Sequence, residues 1–376
     1  VPSVWPLNDK ERIVIFNEEQ SMLKDTARAF IEENAPVENL RKLRADPEGP
    51  AYDQTLWRQL IDLGIPAVAL DEASGGLGFG YMGLAAVLGE TGRNLVATPL
   101  ISSVTFASSL IQLAGSEEQK ARWLPSLASG EITATVAVQE GRHFNPSTIQ
   151  TRYAEGALSG TKTMVMDAPE ADLILVIAKD ASEQLCVVAL NSLEGVQHER
   201  YILMDGRKFS DLGFKDLSGA EQIGEGNQQD AINKAVDIAT IALAAEMIGG
   251  AEALLERTVY HLNEREQFDV KLATFQALQH RCAEMYCQLE LARSAVFSAF
   301  TRLDQGRDIA KAASQAKALA NECYQHISSE AVQMHGGMGI TDELDIGLFL
   351  KRSRVCNQLF GDANFHRRRY ADQIGI

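Results

Sequence analysis

The chain is short of positive charge. Its 35 Lys and Arg face 51 Asp and Glu, giving a formal net charge of −16 and a pI near 4.9. That balance excludes general nucleic-acid binding, which needs a positive surface potential. An anionic substrate would need a local basic patch to overcome the field. Cysteine is scarce and unpaired in pattern: the five (Cys186, Cys282, Cys287, Cys323, Cys356) are odd in number and show no CxxC spacing. Two of them fall in apolar helical stripes, so they read as reduced core residues rather than a disulfide framework or a zinc site. The seven histidines show no metal-ligand spacing. No uninterrupted apolar run approaches the roughly 18–20 residues that cross a bilayer. The opening Val1-Pro-Ser-Val-Trp-Pro6 matches neither a signal peptide nor an Arg/Ser-rich transit segment. Repeats and low-complexity tracts are missing too. The expectation is a cytoplasmic globular protein with no membrane insertion and no nucleic-acid partner.

What is present falls into three blocks. Length alone favours two or three domains with ample core for 376 residues. From Asn17 to about Gly130 the pattern is helical. Asn17-Glu-Glu-Gln20 resembles a capping box, and Ser116-Glu-Glu-Gln-Lys120 caps a later helix. Asp46-Pro-Glu-Gly-Pro50 interrupts the helices. The glycine-rich loop at 71–80 lacks a following GK[ST], which favours a tight turn over a phosphate cradle. The periodicity changes at Glu131. Runs at 132–138, 157–166, 173–177 and 184–189 are short and rich in β-branched residues. Strands without intervening helices suggest an antiparallel barrel or sandwich. Helical periodicity returns near Gln229. The predicted organisation is therefore α+β: helical at 1–130, β at 131–228, and a helical bundle at 229–376.

The last block carries the most chemistry. Leu278, Cys282, Met285, Leu289, Ala292 and Val296 step 4, 3, 4, 3, 4, the buried stripe of a long helix. A second stripe (Ala316, Leu319, Cys323, Ile327, Ala331, Met334) ends at Gly336-Gly337. Two antiparallel helices would return Arg265 and the glycine turn to one end of a bundle. A planar guanidinium beside bare main-chain N–H groups suits the pyrophosphate of a dinucleotide. A helix C-cap with a surface arginine explains the same residues, so both readings stand on the residues alone.

Several motifs together resemble the acyl-CoA dehydrogenases along nearly the whole chain. These are Glu90-Thr-Gly-Arg93, Glu117-Glu-Gln-Lys-Ala-Arg-Trp-Leu-Pro125, Leu158-Ser-Gly-Thr-Lys162, Arg265-Glu-Gln-Phe268, Phe275-Gln276 and Gln333-Met-His-Gly-Gly-Met-Gly339. Their order and spacing are specific, though each alone is weak. The resemblance implies an N-terminal helical domain, a central antiparallel β-barrel and a C-terminal four-helix bundle. It also implies FAD, assembly as a dimer or dimer of dimers, an acyl-CoA substrate and an electron-transfer flavoprotein as acceptor. By the same resemblance, Arg265, Phe268, Phe275, Gln276, Gln333, Met334, His335, Gly336 and Gly337 hold the ADP half of a flavin seated mainly in the neighbouring subunit. The implied reaction is α,β-dehydrogenation: a carboxylate takes the α-proton while the β-hydrogen leaves as hydride to flavin N5.

The sequence departs from that pattern where the chemistry happens. Gly361 stands where many relatives carry the catalytic Glu, and Ala239 stands at the alternative position on the first bundle helix. The Thr-Glu-Pro segment that meets the flavin ring reads Gln139-Glu140-Gly141. The Trp-Ile-Thr strand reads Met164-Val165-Met166. Two carboxylates are left as candidate bases. Glu246, two turns beyond Ala239, is either a perturbed catalytic group or a structural partner for a basic residue. Asp362, next to Gly361, is either a base or a turn residue bonding nearby backbone. Lys162 reads as a strand-end surface residue. The run His366-Arg-Arg-Arg369 reads as a solvated or interface face of the last helix, with phosphate contact as the alternative. Three functions follow: an FAD-dependent acyl-CoA dehydrogenase, a base-lacking partner subunit of a heteromeric one, or a scaffold without redox chemistry.

Overall fold

Asn17 opens the first helix as its spacing predicts. Its side chain accepts from Gln20 N at 2.7 Å while Gln20 Oε1 accepts from Asn17 N at 3.2 Å. This computed structural model describes residues 16–70 and 75–376. The opening segment read for targeting signals, and Asp71 to Ser74 of the glycine-rich loop, lie outside the described residues.

The first block holds α1 (Glu18–Asn34), α2 (Val37–Ala45), α3 (Gln54–Asp62), α4 (Gly80–Arg93), a π-helical stretch Leu100–Ala107, α5 (Ser108–Ala114) and α6 (Glu117–Ala128). Ser116 and Gln119 form the second capping box, at the start of α6. The Glu90-Thr-Gly-Arg93 motif has a structural basis. Glu90 is buried, accepts both guanidinium bonds of Arg28 on α1, and lies 3.5 Å from Arg93.

Eight strands follow: β1 (Ala134–Ala137), β2 (Arg152–Ala154), β3 (Ala157–Met166), β4 (Leu173–Lys179), β5 (Leu185–Leu190), β6 (Gln197–Ile202), β7 (Lys208–Ser218) and β8 (Glu221–Ile223). They form one sheet in the order β6-β7-β3-β2-β4-β5-β8, with β1 also paired to β4. The expected antiparallel barrel is corrected here. β1 and β2 both run parallel to β4, so the sheet is mixed, and its ends β6 and β8 are not joined. Parallel pairing arises because the chain crosses over between β1 and β4, a long-range relation that strand composition does not encode.

The third block is α7 (Gln229–Glu264), a small hairpin of β9 (Glu266–Gln267) and β10 (Val270–Lys271), then α8 (Gln276–Asp304), α9 (Ala310–His335), α10 (Ile346–Gln358) and α11 (Ala363–Ile374). The predicted stripes face inward: Met285, Leu289, Ala292 and Val296 of α8, and Ala316, Cys323, Ile327, Ala331 and Met334 of α9, are buried. α7 amends the expectation about apolar length. It contains an 18-residue window with mean hydropathy 1.6, long and apolar enough to cross a bilayer, but 94% of that window is buried inside the protein. It is the core helix of the fold. All five cysteines are free; Cys186, Cys323 and Cys356 are buried, while Cys287 is exposed.

Candidate functional site

The end of α7 and the end of α9 meet through two imidazoles. His261 and His335 stack with centroids 4.2 Å apart and planes 26° apart. His335 Nδ1 lies 2.8 Å from the Ala331 carbonyl. Burial lowers the pKa of both rings, and for His261 the neighbouring His335 and Arg265 add to that shift. Arg265 follows one turn after His261 and Gly336 directly follows His335, so the stack fixes the two predicted landmarks at one end of the bundle.

The residues predicted for the ADP grip divide by orientation. Arg265, Phe268, Phe275, Gln276, Gln333, Gly336 and Gly337 are exposed, and Phe268 is 86% accessible. Phe268 packs edge-on against Phe275 at 6.3 Å. The Arg265 guanidinium makes no hydrogen bond or ion pair among the described residues. Gly336 adopts φ +61, and a Cβ on it or on Gly337 would meet nothing within 4 Å. The main chain there is open to an approaching ligand. Gln276 begins the 29-residue α8, whose N-terminal dipole favours an anion. Met334 and His335, by contrast, point into the protein and are buried. They support the turn rather than line its surface.

The segments aligned with the flavin ring are committed elsewhere. Glu140 accepts from Gln150 N, Thr151 N, Thr151 Oγ1 and Lys162 Nζ, the last at 2.6 Å. Gln139 Nε2 donates back to the Gly141 carbonyl. Met164 N donates to Asp211, and the Met166 carbonyl accepts from Thr135 Oγ1 at 2.6 Å. The two methionine side chains pack against the main hydrophobic core. Lys162 is corrected: it is fully buried inside β3 rather than a surface residue, and burial pushes its ammonium down to about 8 even with Glu140 beside it. Long apolar stems let such lysines enter a sheet, a pattern that sequence alone does not reveal.

The interior holds a four-membered ion cluster. Arg352 of α10 donates to Glu246 Oε1 at 2.9 Å and lies 2.7 Å from Asp205 Oδ2. Arg207 sits 2.8 Å from the same Asp205 oxygen, 3.6 Å from Glu246, and donates to Cys356 Sγ at 3.3 Å. Arg352, Asp205 and Glu246 are all buried. Two cations therefore balance two carboxylates, and Glu246 takes the structural arrangement its apolar setting allowed.

Asp362 is the N-cap of α11, accepting from Phe365 N at 2.7 Å. Beside it, Gly361 has φ +103, and a Cβ there would lie 2.4 Å from a Phe365 ring carbon. Its carbonyl is held by Lys317 Nζ at 3.1 Å, and His366 Nε2 lies 2.9 Å from the Phe360 carbonyl. Ala239 is buried in α7. The basic run splits: His366 is buried, Arg369 pairs with Asp237 at 2.8 Å, Arg367 pairs with Glu322, and Arg368 lines an open cleft.

One carboxylate escaped the sequence reading. Asp167, which follows Met166 with φ +54, accepts from Ser102 Oγ of the π-helical stretch at 2.6 Å. Desolvation pushes its pKa up to about 7 despite that bond. A non-glycine residue held in the left-handed region is a local signal of constraint, but the spacing of the sequence does not show it.

Residues 229–375 match the family model for the acyl-CoA dehydrogenase C-terminal domain, and 17–131 match that for the N-terminal domain. The chain is 30% identical over 360 residues to acyl-CoA dehydrogenase IpdE2 of Mycolicibacterium smegmatis, covering 95% of this chain and 99% of that protein. Among solved structures it is similar to a variant of the Tcur3481-Tcur3483 steroid ACAD, with TM-score 0.86, 30% identity, and 95% of this chain and 98% of that one covered. It is also similar to the ChsE4-ChsE5 complex of Mycobacterium tuberculosis, with TM-score 0.87, 26% identity, and coverage of 96% and 98%.

Proposed function

Because this chain belongs to the acyl-CoA dehydrogenase family of oxidoreductases, we propose that it works as a base-lacking subunit of a heteromeric acyl-CoA dehydrogenase. The observation that carries the proposal is the fate of the expected base positions. Gly361 and Ala239 cannot ionise, Glu246 is locked between two arginines, and Asp362 caps a helix. Similarity to chains solved as the ChsE4-ChsE5 complex and as Tcur3481-Tcur3483 supports a two-chain assembly.

FAD fits one half of this chain and not the other. Arg265, Phe268, Phe275, Gln276, Gln333, Gly336 and Gly337 would hold the ADP end of a flavin seated in the partner. In the segments aligned with the ring, at 139–141 and 164–166, the Glu140 carboxylate, the Gln139 side-chain amide, the Met164 N–H and the Met166 carbonyl are bonded within the protein. When bound, FAD supplies the two-electron acceptor for α,β-dehydrogenation of an acyl-CoA thioester. This chain's part is to grip and orient. The Arg265 fork pairs with a pyrophosphate in a fixed plane. The bare Gly336-Gly337 backbone lets phosphate oxygens approach, and the His261–His335 stack holds both elements in register. An electron-transfer flavoprotein is the acceptor this reading expects.

A second reading, a homomeric flavoenzyme with a relocated base, is favoured by Asp167 alone, whose pKa near 7 suits proton abstraction. The test is purification alone and with a flavin-binding homologue from the same host. The proposal expects a colourless chain alone and about one flavin per pair of chains in the complex. A chain that is yellow alone and bleaches with an acyl-CoA sinks it; loss of that bleaching in Asp167→Asn then establishes the second reading.

A further inference from the structure

We infer that Phe106, Phe144, Phe360 and Phe365 close a wide cleft of this chain toward the interior, so that no acyl chain passes its floor. The inference rests on the base-lacking reading and deepens it: this cleft gives an acyl group no path inward, just as the expected base positions give it no base. The cleft has a volume of about 1170 Å³ and lies between the β1–β2 connection, the start of α7, the α8–α9 loop and α11. Its walls carry mixed charge, with Lys234, Arg307 and Arg368 set among Asp230, Asp308 and Asp372. Phe144 and Phe365 are part of its lining.

Behind them the rings continue edge to face. Phe365 meets Phe144 at 5.7 Å, Phe144 meets Phe360 at 6.1 Å, and Phe360 meets Phe106 at 5.5 Å, all with planes 81–87° apart. Exposure falls along this series, from half-buried Phe365 through 8% for Phe144 and 5% for Phe360 to 1% for Phe106. The four rings come from three separate stretches of chain, Phe106, Phe144 and the pair Phe360 and Phe365, so edge-to-face contacts weld these together.

The floor is fixed in place. Phe360 has φ +57, and its carbonyl is held by His366. The next carbonyl, of Gly361, accepts from Lys317 Nζ at 3.1 Å. Above the floor, Arg369 ties α11 to Asp237 of α7. An alkyl chain entering here would have to displace buried aromatic rings.

Calorimetric titration of the purified full-length chain with CoA and with octanoyl-CoA tests this, with the flavin absorbance recorded on the same sample. The expected result is that octanoyl-CoA binds within threefold of CoA; binding of neither overturns the inference. Phe144→Ala should then favour octanoyl-CoA over CoA by at least tenfold, with Phe144→Leu as the milder change if the alanine variant does not fold. A tenfold or greater preference for octanoyl-CoA in the wild type overturns the inference, as does an unchanged ratio in the folded variants. A steep wild-type ratio in a flavin-free chain overturns the stopper and leaves the base-lacking reading standing. Flavin held by the isolated chain with a flat ratio does the reverse.

Discussion

Arg352 and Glu246 are buried partners 2.9 Å apart, joining α10 to the middle of α7. A carboxylate held this way is an anchor. Replacing Glu246 with Gln leaves the buried Arg352 guanidinium and the partly buried Arg207 with Asp205 as the carboxylate they both still contact. Removing one partner of a buried pair costs about 3–5 kcal/mol, because the other charge is left without compensation. The expected outcome for Glu246→Gln is a loss of that order in urea unfolding, with flavin reduction in the assembled complex within about threefold of wild type once corrected for folded protein. A fall of several orders of magnitude in reduction rate at unchanged stability would identify Glu246 as a base instead.

Restoring the usual glutamate should fail. Gly361 holds φ +103, a conformation costly for a side chain, and a Cβ there would lie 2.4 Å from the Phe365 ring. Gly361→Glu is expected to destabilise the chain and to confer no acyl-CoA-dependent flavin reduction on it. Its neighbour gives a cleaner comparison. Asp362→Ala should cost roughly 1 kcal/mol through the lost cap, whereas Asp362→Asn, which still caps, should cost little. Reduction rates in the complex should be unchanged in both, as read by stopped-flow.

How much of this was legible in the sequence follows from which forces are local. Both capping boxes were readable because an N-cap acts over three residues. The α9 stripe and its stop at Gly336 were readable because helical periodicity and a positive φ are local as well. The sheet was only half readable. β1, β4 and β5 are buried along almost their whole length, but β2 and β6 are largely exposed and carry no apolar run. Their pairings, and so the open mixed sheet, depend on contacts between distant segments.

The site shows the same division. Arg265 and the glycine turn were placed at one end by helix counting, but the imidazole stack that joins them was not foreseen. The partners of Glu246 come from the β6–β7 connection and from α10, 39 to 106 residues away in sequence. No window on the chain contains that cluster. Lys162 was misread for a related reason: its partner Glu140 sits 22 residues upstream, in the β1–β2 connection.

The arginine itself gives a prediction that separates grip from folding. Arg265 is exposed and makes no hydrogen bond or ion pair among the described residues, so Arg265→Ala should leave the thermal midpoint of the isolated chain within about a degree, since surface changes of this kind stay within about 0.5 kcal/mol. In the complex, the same change should lower flavin occupancy, with an apparent Kd about 10–100-fold higher, the scale of a lost charge-assisted bond of about 1.5–3 kcal/mol. Arg265→Lys should recover only part, because an ammonium cannot present the planar fork. Dialysis against flavin-free buffer followed by absorbance measures this directly. Full occupancy in Arg265→Ala would remove Arg265 from the cofactor site.

Acid sensitivity should be traceable to His366. Burial, reinforced by the nearby Lys317 ammonium, pushes its pKa down to about 3 from an ordinary 6.5. Between those two values the unfolded chain holds a proton on this ring that the folded chain does not. Protonation therefore draws the equilibrium toward the unfolded state, and this contribution to stability rises as pH climbs from 3 to 6.5 and is constant above that. His366→Gln keeps a donor for the Phe360 carbonyl but cannot titrate. At pH 7 the variant should be the less stable protein, through imperfect packing. At pH 4.5 the gap should close by about 2–3 kcal/mol, the value of two pH units on one site. Urea unfolding at the two pH values gives the comparison, and because every other titrating group is shared, its contribution cancels in the difference. A gap that stays the same from pH 7 to 4.5 would mean that the ring reaches solvent and takes up its proton in the folded state, and that the Phe360 turn is looser than this packing allows.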